Sequence, residues 1–310
     1  ARYFKADELA VVGGDHELAQ VFTRLPFDHL LFTGSTAVGR QVMKAAAENL
    51  TPVTLELGGK SPAIIAPGYP IAKAAARIMA GKCLNAGQTC IAPDYVLLPA
   101  GEEENFIAAA RAVVASSYPD LERNADYTAV VNLRHANRLR GYLDDAHEKG
   151  ARLVPLADAP PNEVGTQRLA PTLVLNTNAQ MRIMQEEIFG PLLPILSYTH
   201  IDEVLAYVNA HDRPLALYLF DHDKARIDLV LDQTIAGGVT INDTILHIAQ
   251  DELPFGGIGP SGMGHYHGRE GFLTFSKQKP VFYQSRINGI GLFNPPYGKL
   301  FERLIKVLLR

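Results

Sequence analysis

A cysteine on a small-residue turn is the first candidate for chemistry. Gly87-Gln88-Thr89-Cys90 ends a segment of helical spacing, and Pro93 stops its continuation. A substrate can reach a thiol placed on such a turn, and its thiolate is a strong nucleophile. The competing reading is a buried, inert cysteine, common for this residue type. Cys83 sits within the helical pattern and is expected to be of that inert kind. In Thr54-Leu55-Glu56-Leu57-Gly58-Gly59-Lys60, one carboxylate stands at the end of an apolar run. Burial there raises the pKa of Glu56 and suits it to general-base work. Pairing with Lys60 or another cation is the alternative.

Three further stretches bear groups that can hold a ligand. Phe32-Thr33-Gly34-Ser35-Thr36-Ala37-Val38-Gly39 joins a strand-like run to a helical one. Unpaired backbone N–H groups at a helix start form an anion site suited to a pyrophosphate. An ordinary N-cap by Ser35 or Thr36 explains the same residues. The stretch is neither a Walker loop nor GxGxxG. Gln185-Glu186-Glu187-Ile188-Phe189-Gly190-Pro191 sets carboxylates beside an aromatic ring and a Gly-Pro turn. One carboxylate there can accept from ribose hydroxyls, or both can be solvated helix-end charge. Pro254-Phe255-Gly256-Gly257 and Pro260-Ser261-Gly262-Met263-Gly264 form a Gly-rich loop, followed by His265 and His267. Two histidines without a clear third ligand do not point to zinc, so no metal is expected.

These residues must be positioned by an α/β scaffold, because apolar runs of strand length alternate with segments of helical period. Strand-like runs cover Leu9–Val12, His29–Thr33, Pro52–Leu57, Ala63–Ala66, Tyr95–Leu98, Leu173–Leu175, Leu193–Leu196, Leu215–Phe220 and Gly238–Ile241. Helical segments are expected over Asp15–Leu25, Ser35–Asn49, Ile71–Leu84, Glu102–Ser116, Leu133–Lys149, Asp202–Asn209 and Lys224–Gln233. Pro155–Thr166 reads as a loop. In Lys299–Arg310, Phe301, Leu304, Ile305 and Leu308 share one helical face, opposite Lys299, Arg303, Lys306 and Arg310. Such a helix can lie on a membrane, but packing onto its own protein is the expected role.

The chain's 310 residues correspond to about two domains. With 47% hydrophobic and 20% charged residues, the composition is that of a globular protein rather than a disordered tail. A net charge of −4 supplies no basic field for nucleic acid. Two cysteines cannot make a disulfide framework, which points to a reduced, cytoplasmic setting. No run approaches the length of a membrane-spanning helix, and Arg2, Lys5, Asp7 and Glu8 break any signal-peptide core.

Taken in order, Phe-Thr-Gly-Ser-Thr-Ala-Val-Gly, Leu-Glu-Leu-Gly-Gly-Lys, Gly-Gln-Thr-Cys, Glu-Ile-Phe-Gly-Pro and Pro-Phe-Gly-Gly resemble the NAD(P)-dependent aldehyde dehydrogenase superfamily. Leu50-Thr51-Pro52-Val53, Ala92-Pro93-Asp94-Tyr95 and Ser261-Gly262-Met263-Gly264-His265-Tyr266-His267-Gly268 are similar to its class-3 branch, as is Ile241-Asn242-Asp243-Thr244 with His247. The resemblance implies that Cys90 is the nucleophile and Glu56 the base that activates water. It implies cofactor contacts by Gly34, Ser35, Thr36, Ala37, Val38 and Gly39, by the Leu57 carbonyl, and by Glu187 and Phe189 at the nicotinamide riboside. The cofactor is NAD or NADP. The substrate is an aldehyde, aromatic and coniferaldehyde-like first, medium-chain aliphatic second. A homodimer is expected, with Lys279–Tyr283 as its strand-like arm.

The same resemblance implies three parts. Residues 1–61 belong to an incomplete Rossmann-like cofactor domain and 62–253 to the catalytic thiol domain. Residues 254–310 hold the Gly-rich loop, the oligomerisation strand and the basic helix. The family's Pro-Trp-Asn-like and Lys-Pro-Ser/Ala-Glu segments, which supply an oxyanion donor and a ribose contact, are not found here. The 310 residues are therefore expected to turn over poorly by themselves and to associate. A cofactor-independent thiol esterase and a non-catalytic binding protein of the same fold are the competing functions.

Overall fold

The structure is a computed structural model and describes residues 3–5, 7–157 and 166–309. Two compact units are present, Ala1–Phe275 and Ser276–Arg310.

The first unit begins with α1 (His16–Phe22), capped by the Asp15 carboxylate. β1 (Leu30–Thr33), α2 (Thr36–Ala47) and β2 (Val53–Glu56) follow. β1 and β2 pair in parallel, and α2 lays Val42 and Ala46 on their apolar face. Gly39 permits that approach, because a Cβ there would meet Leu57 Cδ2 at 2.6 Å. The next elements are β3 (Pro62–Ile65), α3 (Ile71–Cys83), β4 (Tyr95–Pro99), α4 (Glu103–Ser117) and α5 (Leu133–Glu148). Then come β5 (Arg152–Pro155), β6 (Thr172–Leu175), α6 (Arg182–Gln185), β7 (Leu192–Tyr198), α7 (Ile201–Asn209), β8 (Ala216–Phe220), α8 (Lys224–Gln233) and β9 (Gly238–Ile241). β10 (Gly262–Met263) and α9 (Gly268–Thr274) complete the unit.

Two sheets result. The small one has the order β1-β2-β10, and β10 runs antiparallel to β2. The large one has the order β5-β6-β7-β4-β3-β8-β9, parallel except for β5. β3 and β8 are buried at every position, as expected for parallel strands covered on both faces, so they read as unbroken apolar runs. The main core joins β3, β4 and β8 to Ala74, Ala75, Ile78 and Met79 of α3 and to Phe106, Ile107, Ala110 and Val114 of α4. Each large apolar side chain so buried contributes about 1.5–3 kcal/mol before entropy is counted.

In the second unit, Ile290–Phe293 forms a 3₁₀ turn and α10 (Lys299–Leu308) forms the expected amphipathic helix. Phe301 packs its ring on Phe293 and Tyr297. Arg310, expected on the basic face, lies outside the described residues, as does Arg2.

Two expected strands are not formed. Leu9–Val12 is irregular, with Val11 93% exposed. Lys279–Tyr283 is also irregular, and Val281, Phe282 and Tyr283 are exposed. Neither has a ladder partner among the described residues, and β-rich sequence without a partner leaves its N–H and C=O groups to water. β5, β10, α6 and α9 were not expected. Of the expected loop Pro155–Thr166, Pro155 instead ends β5 and residues 158–165 lie outside the described residues. No helix among the described residues is long and apolar enough to cross a membrane.

Candidate active site

Cys90 follows a tight turn. α3 ends at Cys83, and Leu84–Gly87 makes one 3₁₀ turn with Asn85, Ala86 and Gly87 all at positive φ (49°, 53° and 73°). Such a run is costly for non-glycine residues and persists only when its surroundings fix it. The fixing contacts are visible. Asn85 Nδ2 donates to the Gln88 carbonyl at 3.1 Å, and Gln88 Nε2 donates to the Asn85 and Ala129 carbonyls at 2.9 and 3.2 Å. Gln88 Oε1 accepts from Val131 N at 2.8 Å. Gly87 is required, since a Cβ there would lie 2.3 Å from the Gly190 carbonyl oxygen. The Tyr218 hydroxyl donates to the Ile91 carbonyl just beyond the thiol.

The Cys90 thiol is pushed up to about 11 by burial, and then by the charges of Glu187 and Glu56. The amides of Cys90 and Ile91 point at the sulfur and oppose that rise. The structure therefore brings Cys90, Glu56 and Glu187 into one electrostatic neighbourhood. Cys83, by contrast, lies in the main core with its thiol pushed up to about 12 by burial.

Glu56 is the last residue of β2, and its main chain is fixed on both sides. Its carbonyl accepts from Gly34 N at 3.0 Å, and it pairs with Gly262 of β10. Gly262 has φ 136°, and a Cβ there would meet the Leu55 carbonyl at 2.0 Å. The Glu56 side chain is buried, and Oε1 has no hydrogen-bond partner. Burial raises its pKa to about 8. The alternative pairing with Lys60 is not what the fold makes. Lys60 Nζ donates to Asp94 Oδ2 and to the carbonyls of Ile183 (2.8 Å) and Glu186 (3.0 Å).

That buried Lys60–Asp94 pair was not foreseen from the sequence. Asp94 Oδ1 accepts from Ile188 N at 3.0 Å, and Asp94 N donates to the Ser61 carbonyl at 2.8 Å. Arg138 of α5 donates to the Glu187 and Ile188 carbonyls at 3.2 and 2.7 Å, its guanidinium over the Tyr142 ring. Together they clamp the loop that carries Glu187 and Phe189. The only sequence signal was Lys60 and Asp94 flanking two candidate motifs.

Glu186 and Glu187 divide the two readings offered for them. Glu186 is a helix-end charge, facing Arg182 and accepting from the Tyr142 hydroxyl. Glu187 is turned inward, with its carboxylate accepting from Gly59 N and raised to about 7 by burial. A Cβ at Gly58 would sit 1.9 Å from that carboxylate, so glycine there opens the space it occupies. Phe189 has φ 47° and is 36% exposed, leaving a ring face open.

The Gly34–Gly39 turn belongs to the small sheet. Ser35 caps α2, its hydroxyl accepting from Val38 N at 3.4 Å, and Thr36 donates to the Pro260 carbonyl at 2.9 Å. Thr36 N and Ala37 N have no partner among the described residues. Such helix-start donors fit a pyrophosphate.

An aromatic wall adjoins the site. His247 and His267 stack on Phe255 at 5.9 and 5.3 Å, and Tyr266 meets Phe255 edge-on at 5.6 Å. Burial raises the Tyr266 phenol, and the charges of Glu56 and Cys90 raise it further, which places Tyr266 beside both.

Comparison with known proteins gives the family. Residues 6–281 match the aldehyde dehydrogenase family. The chain is 58% identical to the probable coniferyl aldehyde dehydrogenase of Pseudomonas aeruginosa, over 98% of this chain and 63% of that protein. It superposes on the substrate-bound AldH of Staphylococcus aureus with a TM-score of 0.91 and 40% identity, covering 100% of this chain and 66% of that one. An aldehyde dehydrogenase of Mycobacterium tuberculosis complexed with NAD+ gives 0.77 at 33% identity, over 88% and 57% of the two chains. The chain thus spans just under two thirds of these relatives' length. On its matched sequence and its fold, the chain belongs to the aldehyde dehydrogenase family.

Proposed function

We propose that the chain carries the thiol-bearing portion of an enzyme that oxidises an aldehyde to its carboxylic acid with NAD or NADP. The observation that carries this reading is the convergence of Cys90 with Glu56, a buried carboxylate whose Oε1 has no hydrogen-bond partner among the described residues. The Cys90 thiol loses its proton and its sulfur bonds to the aldehyde carbon. The Cys90 and Ile91 amides that face the sulfur stand beside the oxygen as it gains charge. When bound, the dinucleotide would supply the acceptor for the hydride that the Cys90-bound carbon loses as it becomes a thioester. The residues present fit it: Thr36 and Ala37 amides for phosphate, the Leu57 carbonyl for the carboxamide, Glu187 for ribose hydroxyls and Phe189 for the ring. Glu56 then takes a proton from water, the hydroxide attacks the Cys90 thioester, and the thiolate leaves with the acid released. A carboxylate raised to about 8 is a stronger base than an ordinary one.

Coniferaldehyde is the first candidate substrate, supported by the name of the Pseudomonas aeruginosa relative and by the aromatic wall of Phe255 and Tyr266. The division at 61 is supported by the change of sheet between β2 and β3, with 62–253 as the thiol domain and 254–310 as the returning segment. A homodimer and a reduced, cytoplasmic setting complete the reading, the latter in keeping with two free cysteines. The test is aldehyde-dependent formation of NADH or NADPH by the complete gene product, with coniferaldehyde against octanal. Turnover abolished by stoichiometric alkylation of Cys90 supports the reading. Product formed without dinucleotide replaces it with a thiol esterase.

A further inference from the structure

One face of α5 holds the loop that carries Glu187 and Phe189. Arg138 spends two nitrogens on successive carbonyls, Nη1 donating to Glu187 O at 3.2 Å and Nη2 to Ile188 O at 2.7 Å. Nη1 also donates to the Tyr142 hydroxyl at 2.9 Å, and that hydroxyl donates to Glu186 Oε2 at 2.8 Å. The Tyr142 ring is buried, with the Arg138 and Arg182 guanidiniums each 5.1 Å from its centre. Leu139 lies against the end of the loop, since a Cβ at Gly190 would meet its Cδ1 at 2.5 Å.

The loop needs such support. Phe189 has φ 47°, a conformation that a residue with a side chain keeps only when its surroundings fix it. The two carbonyls that Arg138 takes are the two immediately before it. The stretch entering α5 holds the thiol turn as well, because Gln88 bonds the Ala129 carbonyl and the Val131 amide. Residues 129–142 therefore hold both the turn of Cys90 and the loop of Phe189.

We infer that Arg138 is a positioning residue for the nicotinamide end of the dinucleotide, fixing the Glu187–Phe189 loop relative to Cys90. Its bonds to the loop go to main-chain oxygens, so it acts through the backbone and not on the ligand. The hold on the loop needs only the fold. Its use rests on the proposed function, in which Glu187 accepts from ribose hydroxyls and Phe189 packs on the ring. A lysine ammonium lacks the planar fork that spans two carbonyls and a hydroxyl.

The experiment compares Arg138→Met and Arg138→Lys with the native complete gene product in two measurements. The first is hydrogen exchange. The Ile188 amide, bonded to Asp94 Oδ1, is expected to exchange about tenfold faster in Arg138→Met, with the amides of β4 unchanged. The second is binding of NAD against ADP, or of NADP against 2′-phospho-ADP, each pair differing by the nicotinamide riboside. Dinucleotide binding is expected to weaken about tenfold in Arg138→Met and about threefold in Arg138→Lys, with the shorter ligand within about twofold of native. An unmoved Ile188 amide, unchanged dinucleotide binding in folded Arg138→Met, or equal loss of both ligands overturns the inference. If Arg138→Met does not fold, Arg138→Lys decides by the same comparisons. Faster exchange at Ile188, with no dinucleotide bound even by the native protein, sinks the proposed function and leaves the hold of Arg138 on the loop standing.

Discussion

The turn that starts α2 and the turn that carries Cys90 both depend on glycine, yet they are held by different means. At Gly34–Gly39 three bonds hold the turn: the Ser35 cap, the Gly34 bond to the Glu56 carbonyl and the Thr36 bond to the Pro260 carbonyl. The helix start stays open to solvent, with Ala37 and Val38 exposed. The Cys90 turn is held by more contacts, made by several loops. Gln88 reaches Ala129 and Val131, Gly87 abuts Gly190, and Lys60 ties Asp94 to the Glu187 loop. An open helix start can accept a ligand without rearranging. A thiol proposed to react beside two raised carboxylates needs a shell that does not yield.

The sharpest way to separate the two turns is at the nucleophile. Cys90→Ala should lower aldehyde-dependent dinucleotide reduction on the order of 10⁴-fold or more, with the unfolding midpoint unchanged. Residual activity near that of the native protein would remove the thiol turn from the chemistry. Next in size is the clamp. Lys60→Met strands a buried carboxylate and should cost about 3 kcal/mol in urea unfolding. Arg152→Ala, which breaks an exposed pair with Glu104, should leave the urea midpoint close to that of the native protein. Equal losses would mean that the thiol turn is no more tightly held than the surface.

Glu56 gives a pH-dependent contrast. Its folded pKa, about 8, lies above its ordinary value, so the folded state binds the extra proton. That contribution is complete below the ordinary carboxylate range and is lost as pH rises through about 8. Glu56→Gln should therefore gain stability relative to the native protein, by about 4 kcal/mol, between pH 5 and pH 9. A difference that does not vary with pH would show that Glu56 is not held neutral by burial. The smallest effect belongs to the helix start. Ser35→Ala should cost about 1 kcal/mol and leave the rate of Cys90 alkylation unchanged. A changed alkylation rate would show that the two turns are coupled.

The sequence made most of the scaffold legible because its signals are local. Ser35 before an apolar-periodic stretch marks α2, and the unbroken run at Leu215–Phe220 marks β8. Its errors came where a partner decides. Leu9–Val12 and Lys279–Tyr283 carry strand-like residues, but no strand pairs with them among the described residues. Gly262–Met263 reads as loop, yet it adds to β2 because a glycine can approach the Leu55 carbonyl. The candidate residues Cys90, Glu56 and Glu187 stood out by type and motif, whereas the clamp of Lys60, Asp94 and Arg138 did not.

By itself, then, the sequence determined the α/β alternation, the order of the motifs and the resemblance to the family, since each is written in short stretches. Only the tertiary structure decided which of two offered partners each charge takes. Lys60 could have met Glu56 four residues away, but it meets Asp94 instead. That choice leaves Glu56 Oε1 without a hydrogen-bond partner among the described residues and its pKa raised by burial. The physical reason is that charge pairing in a core is set by which strands and loops converge, and sequence distance carries no record of that convergence.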